Sequence, residues 1–137
     1  MTIQWQDNGA HIAIAVHSIQ QARKFYEQTL GLNFIKEETV VDQQVNVAFF
    51  SSGSMMIELL EPLTKASPVA AFLEKRGEGI HHLALGTRHI EQTMHTLSGR
   101  GIQFTNETST KGANGADIAF ISPTQTHGVL LEVCEKQ

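Results

Sequence analysis

Apolar and polar residues follow strand and helix periodicities along the first half of the chain. Residues 10–16, AHIAIAV, alternate as in a β-strand. Ser18 is placed to cap a helix, with Gln21 three residues further on. Apolar residues then recur at helical spacing as far as Leu30, and Gly31 can end the helix in the left-handed conformation. Three further strands are predicted at residues 33–41, 45–51 and 55–61.

The second half repeats the order of strand, helix and three strands. A strand is predicted at 80–86, followed by a helix at 90–97 that the glycines of Gly99-Arg-Gly101 end. The three strands that follow are predicted at residues 102–105, 116–121 and 128–134. Both halves therefore have the order βαβββ.

The two halves also match residue by residue. His11-Ile-Ala matches His82-Leu-Ala, 71 residues later. Ile57-Glu58 matches Leu131-Glu132, 74 residues later. Between the halves, Ser67 and Pro68 are typical of the first positions of a helix, which we expect at about 67–76.

These patterns indicate an α+β fold made of two βαβββ modules. We expect residues 1–137 to form a single domain. Module 1 is expected at about residues 10–61 and module 2 at about residues 80–134.

Charge and composition exclude several classes of partner. The net charge is −4 and no Lys/Arg run is present, which argues against nucleic acid and against an anionic membrane surface. No apolar stretch approaches the roughly 18–20 residues that span a bilayer. Residues 1–10 have neither a basic start nor an apolar core, so we expect no secretion signal, and a single cysteine fits a reducing compartment. We therefore expect a cytoplasmic protein.

Two apolar strands each carry one carboxylate in the middle. Glu58 lies in MMIELL and Glu132 in VLLEVC. A buried, ionised carboxylate costs several kcal/mol unless it is compensated. A shared cation is the simplest explanation for two such residues at equivalent positions. An alternative is a buried salt bridge with Arg23 or Arg100.

The repeat also supplies two histidines, His11 and His82, each at the start of its module. Imidazole and carboxylate are ligands for zinc, cobalt, iron, manganese and nickel. One His and one Glu from each module would make a four-ligand site with open positions for water or substrate. A single His at such a position is more often an ordinary hydrogen-bonded residue, so the hypothesis depends on the matched set. His81 must point to the opposite face of its strand and is interpreted as structural.

At these residues the chain resembles the vicinal-oxygen-chelate superfamily of paired βαβββ modules, which includes glyoxalase I, extradiol dioxygenases, fosfomycin-resistance enzymes and bleomycin-binding proteins. Within it, the chain is most similar to the methylmalonyl-CoA epimerase family. The stretches that carry this resemblance are HIAIAV with KFYEQTLGL, IELLEPL with SPVAAFLEKRGEGIHHLAL, and KGANGADIAFISP with HGVLLEV.

The resemblance implies a curved half-barrel sheet around a metal ion held by His11, Glu58, His82 and Glu132. The ion would be divalent, Co²⁺ or Zn²⁺. The implied reaction interconverts (R)- and (S)-methylmalonyl-CoA by moving the α-proton through a metal-stabilised enolate. The implied partners are an acyl-CoA substrate and a second copy of the chain in a homodimer.

One position departs from the family. Some members have Gln in place of Glu58 and a separate proton-abstracting Glu at the position of Val47. Our hypothesis is that Glu58 and Glu132 transfer the proton, with Asp42 and Glu61 as the next candidates.

Two basic residues are candidates for contact with the CoA phosphates. They are Lys111, in a glycine-containing loop, and Arg76, at the end of the connecting helix. A solvated surface role is an equal alternative for both.

Two other functions stay open from the sequence. One is another glyoxalase-type metal-dependent isomerase or lyase. The other is a metal-free protein that binds a small molecule, as resistance proteins do. The second predicts a cleft lined by aromatic residues, which an aromatic content of 7% supports poorly.

Overall fold

The computed structural model describes residues 2–7 and 9–136. The chain divides into two compact units. We call residues His11–His81 the first unit. The second unit comprises the described residues up to Ala10 and those from His82 onward.

The first unit has one four-stranded sheet, in the order β2-β3-β4-β1. Strands β2, β3 and β4 are antiparallel neighbours, and β1 pairs with β4 in parallel. Its strands and helices are β1 (His11–Ala15), α1 (Ile19–Arg23), β2 (Asn33–Val40), β3 (Val45–Ser52), β4 (Met55–Pro62) and α2 (Pro68–Arg76).

The second unit has the same arrangement, with the order β5-β8-β7-β6. Strand β8 pairs with β5 in parallel and with β7 in antiparallel orientation. Its elements are β5 (Gly79–Gly86, which begins before the unit boundary), α3 (Ile90–Gly99), β6 (Thr110–Lys111), β7 (Asp117–Ile121) and β8 (Leu131–Glu135). The α+β class and the two βαβββ modules predicted from the sequence are thereby confirmed.

Two local predictions were wrong. The strand predicted at 102–105 forms only an isolated bridge, Phe104 with Ile121. The amide of Ile102 instead donates to the Leu97 carbonyl at the end of α3. The edge strand of this sheet is β6, further along the chain.

The helix predicted up to Leu30 also changes its geometry. Ser18 caps it as predicted and accepts from the Gln21 amide. From Lys24 to Thr29 the chain forms a π-helical turn, and the Leu30 amide reaches back five residues to Phe25. Gly31 then adopts a φ of +74°, as expected for the residue that ends a helix.

Alternation along β4 assigns its residues to two faces of the sheet. Ile57 and Leu59 pack with Ile19 of α1 and with Phe50 in one apolar cluster. Because successive strand residues point to opposite faces, Glu58 lies on the face away from α1. In the second unit, Val133 packs with Ile90 and Met94 of α3, which puts Glu132 on the face away from that helix.

A carboxylate at the end of each last strand caps the helix of its module. Glu61 Oε1 accepts from the Ile19 amide at 2.8 Å, and Glu135 Oε1 accepts from the Ile90 amide at 2.8 Å. These bonds fix the start of each helix to the last strand. Each carboxylate lies three residues after the glutamate in the strand centre and therefore on the opposite face.

No helix in the described part of the chain is long and apolar enough to cross a membrane.

Removing the Glu61 cap should destabilise the protein. E61A leaves the Ile19 amide without this charged acceptor, so we expect the free energy of unfolding to fall by about 1 kcal/mol. Urea denaturation measures the change. The control is E74A, an exposed position on α2, which should stay within about 0.5 kcal/mol of wild type. An E61A protein as stable as E74A would contradict the assigned cap.

Candidate metal centre

In the first unit, the structure brings together the histidine and glutamate predicted from module 1. His11 Nδ1 lies 3.3 Å from Glu58 Oε2. Both residues are 5% exposed. His11 and Glu58 are thus buried side by side in this unit, and their role as metal ligands stays a prediction.

The second unit repeats the arrangement. His82 Nε2 lies 3.3 Å from Glu132 Oε1. His82 is 6% exposed and Glu132 is 5% exposed. Each module thus buries one imidazole beside one carboxylate.

The strand register explains why each pair forms. Ala13 lies directly opposite Glu58 across β1 and β4, and Phe49 lies opposite Glu58 on the other side, across β3 and β4. His11 is two residues before Ala13 and so shares its face. The small alanine side chain, fully buried, leaves room for the imidazole to approach the carboxylate.

The same register recurs around Glu132. Ala84 lies opposite it across β5 and β8, and Phe120 lies opposite it across β7 and β8. His82 is two residues before Ala84, and its ring packs edge-on against Phe120 with centroids 5.4 Å apart. The glutamate therefore has the same neighbours in both units. Alanine lies on one side, phenylalanine lies on the other, and histidine is diagonal to it.

The two pairs differ in detail. His11 presents Nδ1 to its glutamate, whereas His82 presents Nε2. Two residues after the glutamate, on the same face, β4 has Leu60 and β8 has Cys134. The Cys134 sulfur lies within 4.8 Å of a Glu132 carboxylate oxygen, and Cys134 is 1% exposed.

The donor atoms of each pair fit a divalent cation. Ligand nitrogen and oxygen atoms lie about 2.0–2.2 Å from a metal such as zinc. Two ligands at tetrahedral angles are then about 3.3–3.5 Å apart, which matches the separation in both pairs. A buried ion pair with a protonated imidazole would also bring such atoms close, and metal analysis distinguishes the two.

Other predicted residues have contacts of their own. His81 packs against the Phe72 ring at 5.0 Å, in agreement with a structural role. Arg23, one alternative partner for a buried carboxylate, contacts Glu27 and Glu37 instead.

The two candidates for phosphate contact also have neighbours. Lys111 Nζ lies 2.6 Å from an Asp117 carboxylate oxygen. The Arg76 guanidinium lies 5.7 Å from the centre of the Phe72 ring. A role in phosphate binding stays a prediction for both.

The alternative bases also lie elsewhere. Glu61 caps α1 on the opposite face from Glu58, as described above. Asp42 is exposed in the turn Val41–Gln43 between β2 and β3.

Sequence reasoning missed the helix-capping carboxylates. Glu61 and Glu135 are separated by the same 74 residues as Glu58 and Glu132. Extending the repeat alignment by three residues would have identified them as an equivalent pair.

A family model described as Glyoxalase/Bleomycin resistance protein/Dioxygenase superfamily matches residues 10–120. The chain belongs to this superfamily. The match includes His11, Glu58 and His82 and ends before Glu132.

Relatives cover nearly the whole chain. The chain is 53% identical to the uncharacterized protein YqjC of Bacillus subtilis over 91% of this chain and 89% of the relative. It is 34% identical to the ethylmalonyl-CoA/methylmalonyl-CoA epimerase of Cereibacter sphaeroides over 90% of this chain and 93% of that one.

A solved structure extends the comparison. The methylmalonyl-CoA epimerase of Streptomyces coelicolor, in complex with 2-nitronate-propionyl-CoA, is 29% identical with a TM-score of 0.88. The match covers 98% of this chain and 99% of that one. The relatives at about one-third identity and this structural neighbour are thus methylmalonyl-CoA epimerases, whereas YqjC is uncharacterized.

The donor geometry predicts a bound metal. Protein purified without added metal should contain about one divalent ion per chain by elemental analysis. Chelator should remove the ion and lower the melting temperature, because a ligand bound only to the folded state stabilises it. H82A should lose the ion, whereas H81A, the neighbouring histidine, should keep it.

Two results would contradict this prediction. One is purified protein that contains no ion and does not gain one when Co²⁺ or Zn²⁺ is added. The other is an H82A protein with the metal content of H81A.

Proposed function

We propose that the protein is a divalent-metal-dependent epimerase that interconverts (R)- and (S)-methylmalonyl-CoA. The observation that carries the proposal is the repeated buried His–Glu pair, one in each unit. It is supported by relatives at about one-third identity that are named as epimerases of methylmalonyl-CoA.

The substrate class sets what the site must do. The carbon between a thioester and a carboxylate must lose a proton and regain one on the opposite face. We propose that His11, Glu58, His82 and Glu132 together hold a single ion. When bound, this ion would supply Lewis-acid stabilisation of the negative charge that develops on the thioester oxygen.

Proton transfer requires a carboxylate for each face of the reacting carbon. We propose that Glu132 takes the α-proton from one epimer and returns it in the reverse direction. In the hypothesis from the sequence, Glu58 transfers the proton on the opposite face of the reacting carbon. Both glutamates lie in apolar strands and are 5% exposed.

Other parts of the proposal come from the sequence and the relatives. An acyl-CoA ligand is supported by the solved epimerase complex with 2-nitronate-propionyl-CoA. The homodimer and the cytoplasmic location stay predictions.

The activity can be measured by deuterium exchange at the α-carbon of methylmalonyl-CoA in D₂O. The wild-type protein should exchange this hydrogen and epimerise the substrate, and chelator should stop both. E132Q should lower turnover by about 10²–10⁴-fold, as expected for loss of a general base. The matched control is E135Q on the same strand, where the amide oxygen can still cap α3.

The proposal would be overturned by two outcomes. One is an E132Q protein as active as E135Q. The other is a wild-type protein that is inactive on methylmalonyl-CoA but converts a glutathione hemithioacetal, which would indicate a glyoxalase-type isomerase.

A further inference from the structure

We infer that Glu38 is a catalytic residue. It would transfer the α-proton on the face of the reacting carbon that Glu132 does not serve. The inference rests on the proposed epimerase function. It replaces Glu58 in that role and leaves Glu58 as a ligand only.

On the face of the first sheet that carries Glu58, β3 has an apolar residue, Val47, two residues before Phe49. Phe49 lies opposite Glu58 across β3 and β4, and Val47 lies opposite Leu60. Val47 therefore shares the face of Glu58 and is only 1% exposed. Its isopropyl group cannot accept a proton.

The register of the next strand puts a carboxylate beside that position. Glu38 lies directly opposite Val47 across β2 and β3. Paired residues on antiparallel strands point to the same face, with Cβ atoms about 4.5–5.5 Å apart. Glu38 is thus on the same face as Glu58, and its side chain can extend past Val47.

Side-chain contacts independently confirm which face Glu38 occupies. Lys36 Nζ lies 5.5 Å from the centre of the Phe49 ring and 3.7 Å from Glu38 Oε2. Both side chains are therefore on the face of Phe49. Glu37, between them, lies on the other face, where it contacts Arg23 of α1 at 3.3 Å.

Exposure separates the roles of the two glutamates. The Glu58 side chain is 7% exposed and lies beside His11. The Glu38 side chain is 27% exposed, so it can exchange a proton with water between turnovers. Glu38 is not among the four proposed ligands, so on this face of the reacting carbon the ligand and the base would be separate residues.

The step needs no further reactant apart from water, which takes the proton from Glu38 and returns one to Glu132 between turnovers. As the α-C–H bond breaks, the proton goes to the Glu38 carboxylate and the electron pair moves toward the thioester oxygen. The acid form of Glu132 then protonates the same carbon from the other face. The reverse reaction uses the two residues in exchanged roles.

The experiment follows each epimer separately in D₂O with E38Q, E58Q and the control E37Q. In E38Q, epimerisation should slow by about 10²-fold or more, because one face has no base. One epimer should still exchange its α-hydrogen with retention of configuration, through Glu132, and the other should not. Metal content of E38Q should equal that of wild type, and E37Q should behave as wild type throughout.

Three outcomes would overturn the inference. The first is E38Q epimerising as fast as E37Q. The second is E38Q losing exchange of both epimers with its metal retained. The third is that metal-loaded E58Q, and not E38Q, exchanges the α-hydrogen of only one epimer.

Failure of the proposed function would look different. A wild-type protein that exchanges neither epimer would overturn the epimerase proposal, and the role of Glu38 with it.

Discussion

Each half of the molecule buries a carboxylate beside an imidazole. Glu58 and Glu132 lie in apolar strands and are each 5% exposed. An uncompensated charge at such a position costs several kcal/mol. Each unit places a histidine 3.3 Å from the carboxylate, with alanine opposite the glutamate leaving room for the ring. In the proposed function, a cation held by these side chains compensates the negative charge. The contact between imidazole and carboxylate thus accounts for the histidine, the glutamate and the alanine in the core of each unit.

The two modules share the residues of the buried pair and differ in other strands. Both halves keep the histidine, the glutamate and the strand-end carboxylate that caps the helix. The face of the first sheet adds Lys36 and Glu38 on its outer strand, whereas β6 of the second sheet is only two residues long. The two units therefore differ on their outer strands.

Local periodicity predicted most of the fold, because strands and helices of this chain alternate with clear apolar spacing. The partners within each His–Glu pair could also be predicted, since the repeat aligns them. The strand at 102–105 could not be excluded, because its apolar residues pack against α3 without forming a ladder. The position of Glu38 depends on the register between β2 and β3, and a slip of one residue would move it to the other face.

Anomalous diffraction from crystals of the Co²⁺-loaded protein would locate the ion relative to the two His–Glu pairs. One cobalt peak is expected per chain, with His11, Glu58, His82 and Glu132 each about 2.0–2.2 Å away. Two peaks, one at each His–Glu pair, would contradict a shared ion. A single peak that these four residues do not contact would contradict the metal site altogether.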